Sequence, residues 1–408
     1  MLGVGLLASS AAWAQTAAAP AESQTTSSAA DSKFDVRDLI RAVLHKPPPD
    51  DKGEQKNRQG TIAPVIGYMP STALTFGVAG QAAFRRGDPT TTSLSSTVTS
   101  LTFSTKRQTS VFARFGLFAE DDRWFVEGDN RFLWTSQDTY GLGTSSAPAG
   151  RLNMRYDYFR VSETVYRAIG RRVFGGVGFH FGAHTNVRPG EDAEAAWDQS
   201  PYAAYSAQHG FPLDSQQSVG LSLDVLADRR DNPINATRGW RASSSYRVFV
   251  KGLLGGDSNW QELNVDARSY RAIDSSSRQV LALWFFGDFV VGGVAPYLDL
   301  PSTGMDTYGR SGRGYGEGRF RGERLMYGEI EYRATVTSNG LIGVVAFLNT
   351  TTVTNLQAGE HLFDSFAPGA GAGFRLLLSK RSGTNVCLDF GFGKQRSHGV
   401  YLGVQEAF

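Results

Sequence analysis

The sequence has 408 residues, of which 41% are hydrophobic and 20% charged, with 47 Gly, 26 Phe and 15 Tyr. A formal net charge of +2 excludes the strongly basic surface that nucleic-acid-binding domains carry, so no nucleic-acid partner is expected. The single cysteine, Cys387, excludes an internal disulfide framework and a cysteine-based zinc site. A mean hydropathy of −0.27, without an apolar run of about 18 residues, excludes a helical membrane protein. A membrane β-barrel stays consistent with these values, because its alternating strands do not raise the overall hydropathy.

The first 14 residues have the features of an export signal. A short apolar stretch is followed by Ala12-Trp13-Ala14, a small-x-small cleavage site. The basic residues that usually begin such a signal are missing, and a buried N-terminal helix is the alternative. We expect residues 1–14 to be a signal peptide that directs the chain beyond the cytoplasm.

Residues 15–60 are expected to form a polar leader that contains one short helix. Residues 16–32 are rich in Ala, Ser, Thr and Gln and cannot bury enough apolar surface to order themselves. Ser32 is a plausible N-cap for the helix, and the prolines at 47–49 end it. The apolar residues on one face of this helix are Phe34, Val36, Leu39, Ile40, Val43 and Leu44. The pattern leaves open whether the helix docks on a barrel mouth or lies in solvent.

From residue 61 onward the dominant hydrophobic period is two, which indicates strands. Leu221 and Leu223, for example, alternate with Ser222 and Asp224. Charged residues occur in the middle of the polar faces, as expected for the wet lumen of a membrane barrel. Turn signals and alternation together predict about sixteen strands. They lie near 61–69, 73–85, 93–105, 108–119, 123–135, 152–168, 171–187, 218–228, 239–250, 258–271, 279–292, 325–336, 341–353, 368–379, 384–393 and 399–408.

The lengths of the predicted connections also alternate. Short turns, such as Asp121-Asp122, lie on one side, whereas the long loops 136–151, 188–217, 297–324 and 354–367 lie on the other. This asymmetry is typical of outer-membrane barrels with both chain ends in the periplasm, and a soluble β-sandwich has no reason for it. The expected fold is all-β, a transmembrane antiparallel β-barrel over residues 61–408 in the bacterial cell outer membrane.

The last predicted strand supports this location. Val400, Leu402, Val404 and Phe408 are expected on one face, and the printed sequence finishes on an aromatic residue. Terminal strands of this kind are read by the barrel insertion machinery. Glu406 interrupts the pattern.

The loop before the twelfth strand contains Arg313-Gly314-Tyr315, followed by Gly-Arg-Phe-Arg at 318–321 and Glu-Ile-Glu-Tyr-Arg at 329–333. This arrangement resembles the bacterial surface antigen (D15) barrel of the Omp85 superfamily, to which BamA and TamA belong. Further segments that are similar to the family, in the same order, are 64–70, 75–77, 140–143, 228–239, 371–375 and 388–391. The resemblance spans residues 61–408, and the motif falls on the sixth loop of the long-loop side.

The resemblance implies a role for the residues of this loop-lock motif, Arg313, Gly314 and Tyr315. In the family, the loop tip folds back into the lumen and acidic residues on the next two strands hold its arginine. Glu331 occupies the first of these positions, and Asn349 replaces the acidic residue at the second. Asp389 is a candidate substitute, since an arginine inside a barrel is costly unless it is paired. The alternative is that Arg313 is an exposed loop cation.

Family members that fold or secrete other proteins carry periplasmic POTRA modules before the barrel. Residues 15–60 are too few for one such module, so a separate periplasmic subunit is a candidate partner. The other expected partners are outer-membrane lipid and the barrel insertion machinery.

No catalytic, metal-binding or cofactor-binding residues are predicted, and no cofactor is expected. His180 and His184 share a strand face and could bind a metal or serve a hydrolase, but hydrogen-bonded or solvated histidines are the simpler interpretation. The run 309–314 lacks the Gly-Lys-Ser/Thr of a phosphate loop. Several tryptophans are expected in the interfacial girdles. They are Trp124, Trp134, Trp240, Trp260 and Trp284.

Three functions are considered for this barrel. The first is aid to the insertion or translocation of outer-membrane components, through a weak seam between strands 1 and 16. The second is a passive channel or structural barrel without assembly activity. The third, an outer-membrane lipid hydrolase, lacks a convincing Ser/His arrangement.

Overall fold

The computed structural model describes residues 33–36, 38–39, 58–69, 73–88, 90–190, 193–307, 309–380, 382–404 and 406–408. The predicted signal peptide, residues 1–14, lies outside these residues. So do two features of the predicted leader helix, Ser32 and the prolines at 47–49. Among the described residues, no helix is both long enough and apolar enough to cross a membrane.

Sixteen antiparallel strands form one sheet in which each strand pairs with its neighbours in sequence. The prediction of an all-β antiparallel barrel is confirmed. The strands are β1 (Arg58–Met69), β2 (Ala73–Phe84), β3 (Ser95–Ser104), β4 (Thr109–Phe118), β5 (Trp124–Thr139), β6 (Leu152–Gly170), β7 (Val173–Pro189), β8 (Gln216–Asp228), β9 (Gly239–Phe249), β10 (Trp260–Ala272), β11 (Gln279–Gly293), β12 (Arg324–Thr335), β13 (Ile342–Val353), β14 (Ala367–Ser379), β15 (Thr384–Gly393) and β16 (His398–Val404).

The strands place apolar side chains on the outside of the barrel and polar side chains on the inside. In β8, Leu221 and Leu223 are 60% and 67% exposed, whereas Ser222 and Asp224 between them are buried. The exposed apolar face fits a hydrocarbon environment, and the buried polar face forms the lumen. Alternation in the sequence therefore translates directly into an outer and an inner surface.

The two ends of the barrel differ in the length of their connections. The loops 190–215 and 294–323, after β7 and β11, are the longest, and β6 and β7 are joined by residues 171–172 alone. The first loop contains the helix α1 (Pro201–His209), which is capped by Ser200 through a hydrogen bond from the Ala203 amide. We call loop 294–323 L6.

The long-loop end is closed by packed aromatic side chains. Tyr202 and Tyr205 of α1 pack against Tyr297 of L6, with ring centroids 5.5 and 5.6 Å from that of Tyr297. Tyr205 also donates a hydrogen bond to the Ala295 carbonyl oxygen at 2.9 Å. This cluster holds L6 and α1 together over the barrel interior.

The short-turn end carries the N-terminal segment 33–39. The Phe34 amide donates to the Asn339 carbonyl oxygen at 2.8 Å, in the turn after β12. In the turn after β14, the Lys380 amide donates to Asp35 Oδ2 and its ammonium lies 3.1 Å from Asp38 Oδ2. Val36 and Leu39 are helical, with Asp35 as the N-cap. The segment therefore docks on the barrel mouth, which the sequence pattern alone left open.

The strand boundaries differ most from prediction at β5 and β16. β5 continues to Thr139, four residues beyond the predicted limit, and β16 ends at Val404 instead of 408. At Glu406 the chain has turned into the lumen, where that carboxylate meets Arg375. The period-two pattern did not indicate this turn.

The sheet begins at β1 and finishes at β16, and these two strands lie next to each other. Among the described residues, no ladder pairing joins them. β1 has 12 residues and β16 has 7. The barrel is therefore nearly closed, with a seam between strands of unequal length.

Candidate functional site: the loop motif inside the lumen

L6 enters the barrel interior and is anchored there by backbone contacts. Arg131 on β5 donates to the Asp306 carbonyl oxygen at 2.9 Å, and the Asp306 carboxylate accepts the amides of Arg310 and Ser311. Arg321, which is 1% exposed, donates to the Tyr297 and Leu298 carbonyl oxygens at 2.9 Å. The Arg131 bond joins L6 to the barrel wall at β5, whereas the other bonds lie within L6 and fix the course of the loop.

Arg313 at the tip of L6 is buried among three carboxylates. Its guanidinium donates to Glu329 and Glu331 on β12, and to Asp389 Oδ2 on β15 at 2.8 Å. The ring of Phe347 lies 3.7 Å from the guanidinium carbon. Arg313 is 0% exposed, so it is not the solvent-facing loop cation that was the alternative.

The sequence predicted Glu331 and Asp389 as partners of Arg313, but not Glu329. Glu329 lies two residues before Glu331, so both face the lumen on the same strand. That period is the signal that could have identified it. Asn349 contributes a neutral contact, because its side-chain amide donates to the Arg313 carbonyl oxygen at 3.0 Å.

Gly314 and Tyr315 attach the backbone of the loop tip to the inner wall. The Gly314 amide donates to the Tyr401 hydroxyl at 2.9 Å, and that hydroxyl donates to the Tyr315 carbonyl oxygen at 3.0 Å. The Tyr315 hydroxyl in turn donates to the Pro368 carbonyl oxygen at 2.6 Å and accepts the Lys394 amide at 2.8 Å.

Glycines on β14 and β15 provide the space for this close approach. A Cβ atom at Gly369 would lie 2.7 Å from the Arg313 carbonyl oxygen, and one at Gly391 would lie 2.7 Å from the Gly314 nitrogen. A Cβ atom at Gly393 would lie 2.5 Å from the Tyr315 ring. Gly314 itself has φ = 108°, a conformation that favours glycine. The position of the loop tip thus depends on Gly369, Gly391 and Gly393, which we call the glycine floor. The Arg-Gly-Tyr motif alone does not indicate these residues.

The carboxylates around Arg313 also bind two further arginines. Glu331 Oε1 accepts from Arg333 Nε at 2.7 Å, and Asp389 Oδ1 accepts from Arg375 Nη1 at 2.5 Å. All of these side chains are buried. Sharing among the arginines compensates the charges that burial would otherwise leave unpaired.

Residues 406–408 complete this network. Glu406 Oε2 accepts from Arg375 Nε at 2.6 Å, and the Phe408 carbonyl oxygen accepts from Arg333 Nη2 at 2.9 Å. The charged side chains therefore form a continuous ring. Its members are Arg313, Glu331, Arg333, the segment 406–408, Arg375 and Asp389.

The residues of the predicted terminal signal separate into two groups. Val400, Leu402 and Val404 are half-buried and alternate along β16 with the inward-facing Tyr401. Phe408 lies inside the barrel, where its ring stacks on Trp284 with centroids 5.2 Å apart. Its expected position on the face of the other three differs from the structure, because the chain has left the sheet.

The predicted tryptophan girdle needs a similar correction. Trp124, Trp134 and Trp240 are 45%, 50% and 40% exposed and lie on the outer surface. Trp260 and Trp284 are buried inside the barrel, where Trp260 stacks on Phe249 and Trp284 on Phe408. The prediction for these two residues was wrong.

The two histidines of β7 are held by lumen side chains. His180 Nδ1 lies 2.7 Å from Ser162 Oγ, and its Nε2 lies 2.8 Å from Ser222 Oγ. His184 stacks on Tyr158 with centroids 4.2 Å apart. In the part of the chain that the structure describes, no group of three His, Cys, Asp or Glu side chains is arranged to hold a metal ion.

The fold has counterparts among solved structures. BamA from Haemophilus ducreyi lacking POTRA domains 1–3 superposes with a TM-score of 0.54 and 15% identity, over 88% of this chain and 73% of that one. CdiB from Acinetobacter baumannii gives a TM-score of 0.53 and 13% identity, over 86% and 60%. CdiB from Escherichia coli gives 0.53 and 11%, over 88% and 66%. At these identities the similarity establishes the fold.

The comparisons based on sequence concern the family. No curated protein matches the chain. The model of the Omp85 superfamily domain matches residues 97–392, which include β4–β14, the whole of L6 and most of β15. The chain therefore belongs to the Omp85 superfamily.

Proposed function

We propose that this chain is a bacterial outer-membrane barrel that aids the insertion or translocation of outer-membrane components through the seam between β1 and β16. The observation that carries the proposal is the unequal length of the two seam strands. β16 ends at Val404, whereas β1 runs over 12 residues from Arg58 to Met69.

An edge strand with unpaired backbone groups can pair with an incoming strand. Because the described β16 is shorter and its chain turns inward, β1 extends beyond it at the seam. The outer faces beside the seam are apolar: Ile62 on β1 is 82% exposed and Phe392 on β15 is 62% exposed. An incoming strand that paired with β1 would thus be delivered next to lipid.

In this proposal the loop-lock motif keeps L6 inside the lumen while a client strand passes through the seam. Arg313 bridges β12 and β15, and Tyr401 places a hydroxyl of β16 on the loop tip. The loop tip therefore touches the last strand of the seam. Movement of β16 would displace the tip of L6, and L6 would in turn restrict how far β16 moves.

The closed long-loop end favours assistance of insertion over a passive channel. The aromatic cluster of α1 and L6 covers that end, and a cavity of about 210 Å³ lies in the lumen beside Asp129, Glu262 and Asp299. An open channel would require a continuous aqueous path between the two ends.

The proposal is tested by deleting the gene and measuring the levels of other outer-membrane proteins, alongside single-channel recording with purified protein. We expect reduced levels, restored by the wild-type chain, and little steady conductance. Stable conductance without an assembly defect would support the passive channel instead.

A further inference from the structure

Glu163 is an ionisable side chain on the outer face of the barrel. It alternates along β6 with Thr164 and Tyr166, which are buried and face the lumen. On the same outer face as Glu163, Phe159 and Val165 are exposed. A carboxyl group that faces hydrocarbon is costly, and ionisable residues within a membrane usually have a functional partner. The partner of Glu163 is therefore worth identifying.

The position of Glu163 along the barrel wall is within the apolar band. Its Oε1 accepts a hydrogen bond from Asn130 Nδ2 on β5 at 2.7 Å. Trp124 and Trp134 are exposed on the same outer face of β5, where such residues mark the two membrane interfaces. Asn130 lies between these tryptophans in the strand. We call Asn130 and Glu163 the polar notch, and it lies at the depth of the lipid hydrocarbon chains.

The polar notch has more hydrogen-bonding capacity than its internal bond uses. An asparagine side chain carries two amide hydrogens, and a carboxylate can accept at both oxygens. Among the described residues, the bond from Asn130 to Glu163 Oε1 is the hydrogen bond made by these two side chains. One amide hydrogen of Asn130 and Glu163 Oε2 are thus left for a partner in the membrane. The notch offers one donor and one acceptor.

The surface at the notch is low enough for close approach of another chain. Gly128 on β5 faces outwards, and a Cβ atom there would lie 2.5 Å from Glu163 Oε2 and 2.5 Å from the Phe115 ring. Ala113 on β4, which pairs with Asn130 in the sheet, is also small. Small residues at a membrane interface allow backbones to approach closely.

An aromatic cluster lies beside the notch on the same outer face. The ring centroid of Phe159 lies 4.6 Å from that of Phe132 and 5.6 Å from that of Phe181, on the two neighbouring strands. We call these three residues the aromatic patch. Large aromatic side chains are suited to protein interfaces, where a few of them carry much of the binding energy.

We propose that the polar notch and the aromatic patch form the face on which a second copy of this chain docks in the membrane. Around a two-fold axis, Asn130 of each copy would donate its remaining amide hydrogen to Glu163 Oε2 of the other. The notch is its own complement, because it holds one free donor and one free acceptor. A cationic partner would leave the asparagine donor unused, and lipid would leave both groups unpaired.

The hydrogen bonds, and not the aromatic packing, give this contact its specificity. Apolar side chains gain little by leaving lipid for one another, whereas polar groups have no other partner in hydrocarbon. The face also lies away from the seam, since β2–β4 separate it from β1 and β8–β15 separate it from β16. Docking of two copies would leave both seams open to lipid. The inference therefore does not depend on the proposed function.

The test crosslinks the Val161→Cys variant in isolated outer membranes, in a Cys387→Ser background. Val161 pairs with Asn130 across β5 and β6 and lies on the proposed face. We expect a short bis-maleimide to yield a covalent dimer of this variant. Leu348→Cys in the same background is the matched control, because Leu348 is exposed on the outer face of β13. It should yield no dimer, and equal dimer from both variants would reject a specific face.

Substitution of Glu163 separates hydrogen bonding from packing. Glu163→Leu, combined with Val161→Cys, should lower the dimer fraction at least about tenfold, because both polar contacts across the axis are lost. Glu163→Gln keeps an acceptor oxygen and should retain most of the dimer. Loss of a lipid-facing charge does not harm the barrel, so heat-modifiable migration of the Leu variant should match that of wild type. An unchanged dimer fraction in this variant would overturn the proposal.

The mass of the wild-type protein gives an independent readout. In nanodiscs of bacterial outer-membrane lipid, we expect two barrels per particle for wild type and one for Glu163→Leu, measured by light scattering. A wild-type chain that is monomeric in these particles would contradict the proposal. An adduct of the Val161→Cys variant with a different membrane protein, in place of a second copy, would also reject it.

Discussion

Arg313 carries a full charge into a position that solvent does not reach. Glu329, Glu331 and Asp389 surround it, and the Phe347 ring covers one face of the guanidinium. Burial makes this pairing obligatory, because removing one partner of a buried ion pair leaves the others uncompensated. The loop tip is therefore held by charge as well as by packing.

Arg313→Ala should destabilise the barrel by about 3–5 kcal/mol, the usual cost of breaking a buried ion pair. The measurement is heat-modifiable migration in detergent, with protease sensitivity of L6 in intact cells as the second readout. Arg271→Ala, at an exposed position on β10, is the matched control and should change little. Unchanged migration of Arg313→Ala would reject the loop-lock role.

Gly393→Ala should displace the loop tip, because the added methyl would lie 2.5 Å from the Tyr315 ring. Overpacking of this kind costs about 1–3 kcal/mol. Gly328→Ala on β12 is the control, since a Cβ atom there meets nothing within 4 Å. Proteolysis of L6 should be faster in the first variant alone, and equal rates would show that the glycine floor is unimportant.

Asp299 in L6 gives a pH-dependent contribution to stability. Burial raises the pKa of its carboxyl from 3.8 to about 7. The folded chain therefore keeps a proton that the unfolded chain releases, so this contribution is fully present below pH 4 and is lost as the pH rises to 7.

Asp299→Asn should flatten the dependence of thermal stability on pH between 4 and 7. Melting temperatures in detergent across that window provide the measurement. Ser218 donates to Asp299 Oδ2, and an asparagine oxygen can accept the same bond. Identical pH profiles of the variant and wild type would contradict this assignment.

Residues of the site could be predicted where the local hydrophobic period or the motif spacing determines which side chains meet. The Arg-Gly-Tyr motif indicated the loop tip, and Glu331 followed from the family pattern. Contacts between distant strands carry no local signal, so Gly393 and Tyr401 could not be predicted. Asn349 marked the departure from the family pattern, but what replaces the missing charge required the structure.

At the scale of elements, alternation and turn signals predicted the sixteen strands and their order. They failed where contacts inside the lumen, and not the alternation of the strand, determine the course of the chain. The stretch 399–408 alternates as one strand, yet the ion pair of Glu406 with Arg375 and the stacking of Phe408 on Trp284 draw its end inward. A hydrophobic period of two indicates that one face of a segment is apolar. It does not indicate whether that face contacts the outer surface or the interior of the barrel.

The segment 33–39 and the turn after β14 form the contact that links the N-terminal part of the chain to the barrel mouth. Lys380→Glu should weaken this contact, because it places a third negative charge beside Asp35 and Asp38. A pair near the surface contributes about 0–1 kcal/mol, and this one is partly buried, so faster proteolysis of the segment is expected without loss of the barrel. Lys251→Glu, in the loop after β9, is the charge-matched control. Unchanged proteolysis would show that Lys380 does not hold the segment.

At the scale of the whole molecule, the barrel is closed at one end and has a seam along one side. L6 and α1 close the long-loop end, the ring of ion pairs ties L6 to the walls, and β1 and β16 meet without a described ladder. In the proposed function, this junction is the weak point of the barrel wall. The ring joins L6 to β12, β14 and β15 through buried charges.

The most direct test of the account is to close the seam covalently. Cysteine pairs scanned along β1 and β16, in a Cys387→Ser background, identify a pair that forms a disulfide across the junction. The crosslinked chain should fail to restore outer-membrane protein levels in the deletion strain, and reduction of the disulfide should recover them. A crosslinked chain that restores these levels as well as the reduced one would contradict a function at the seam.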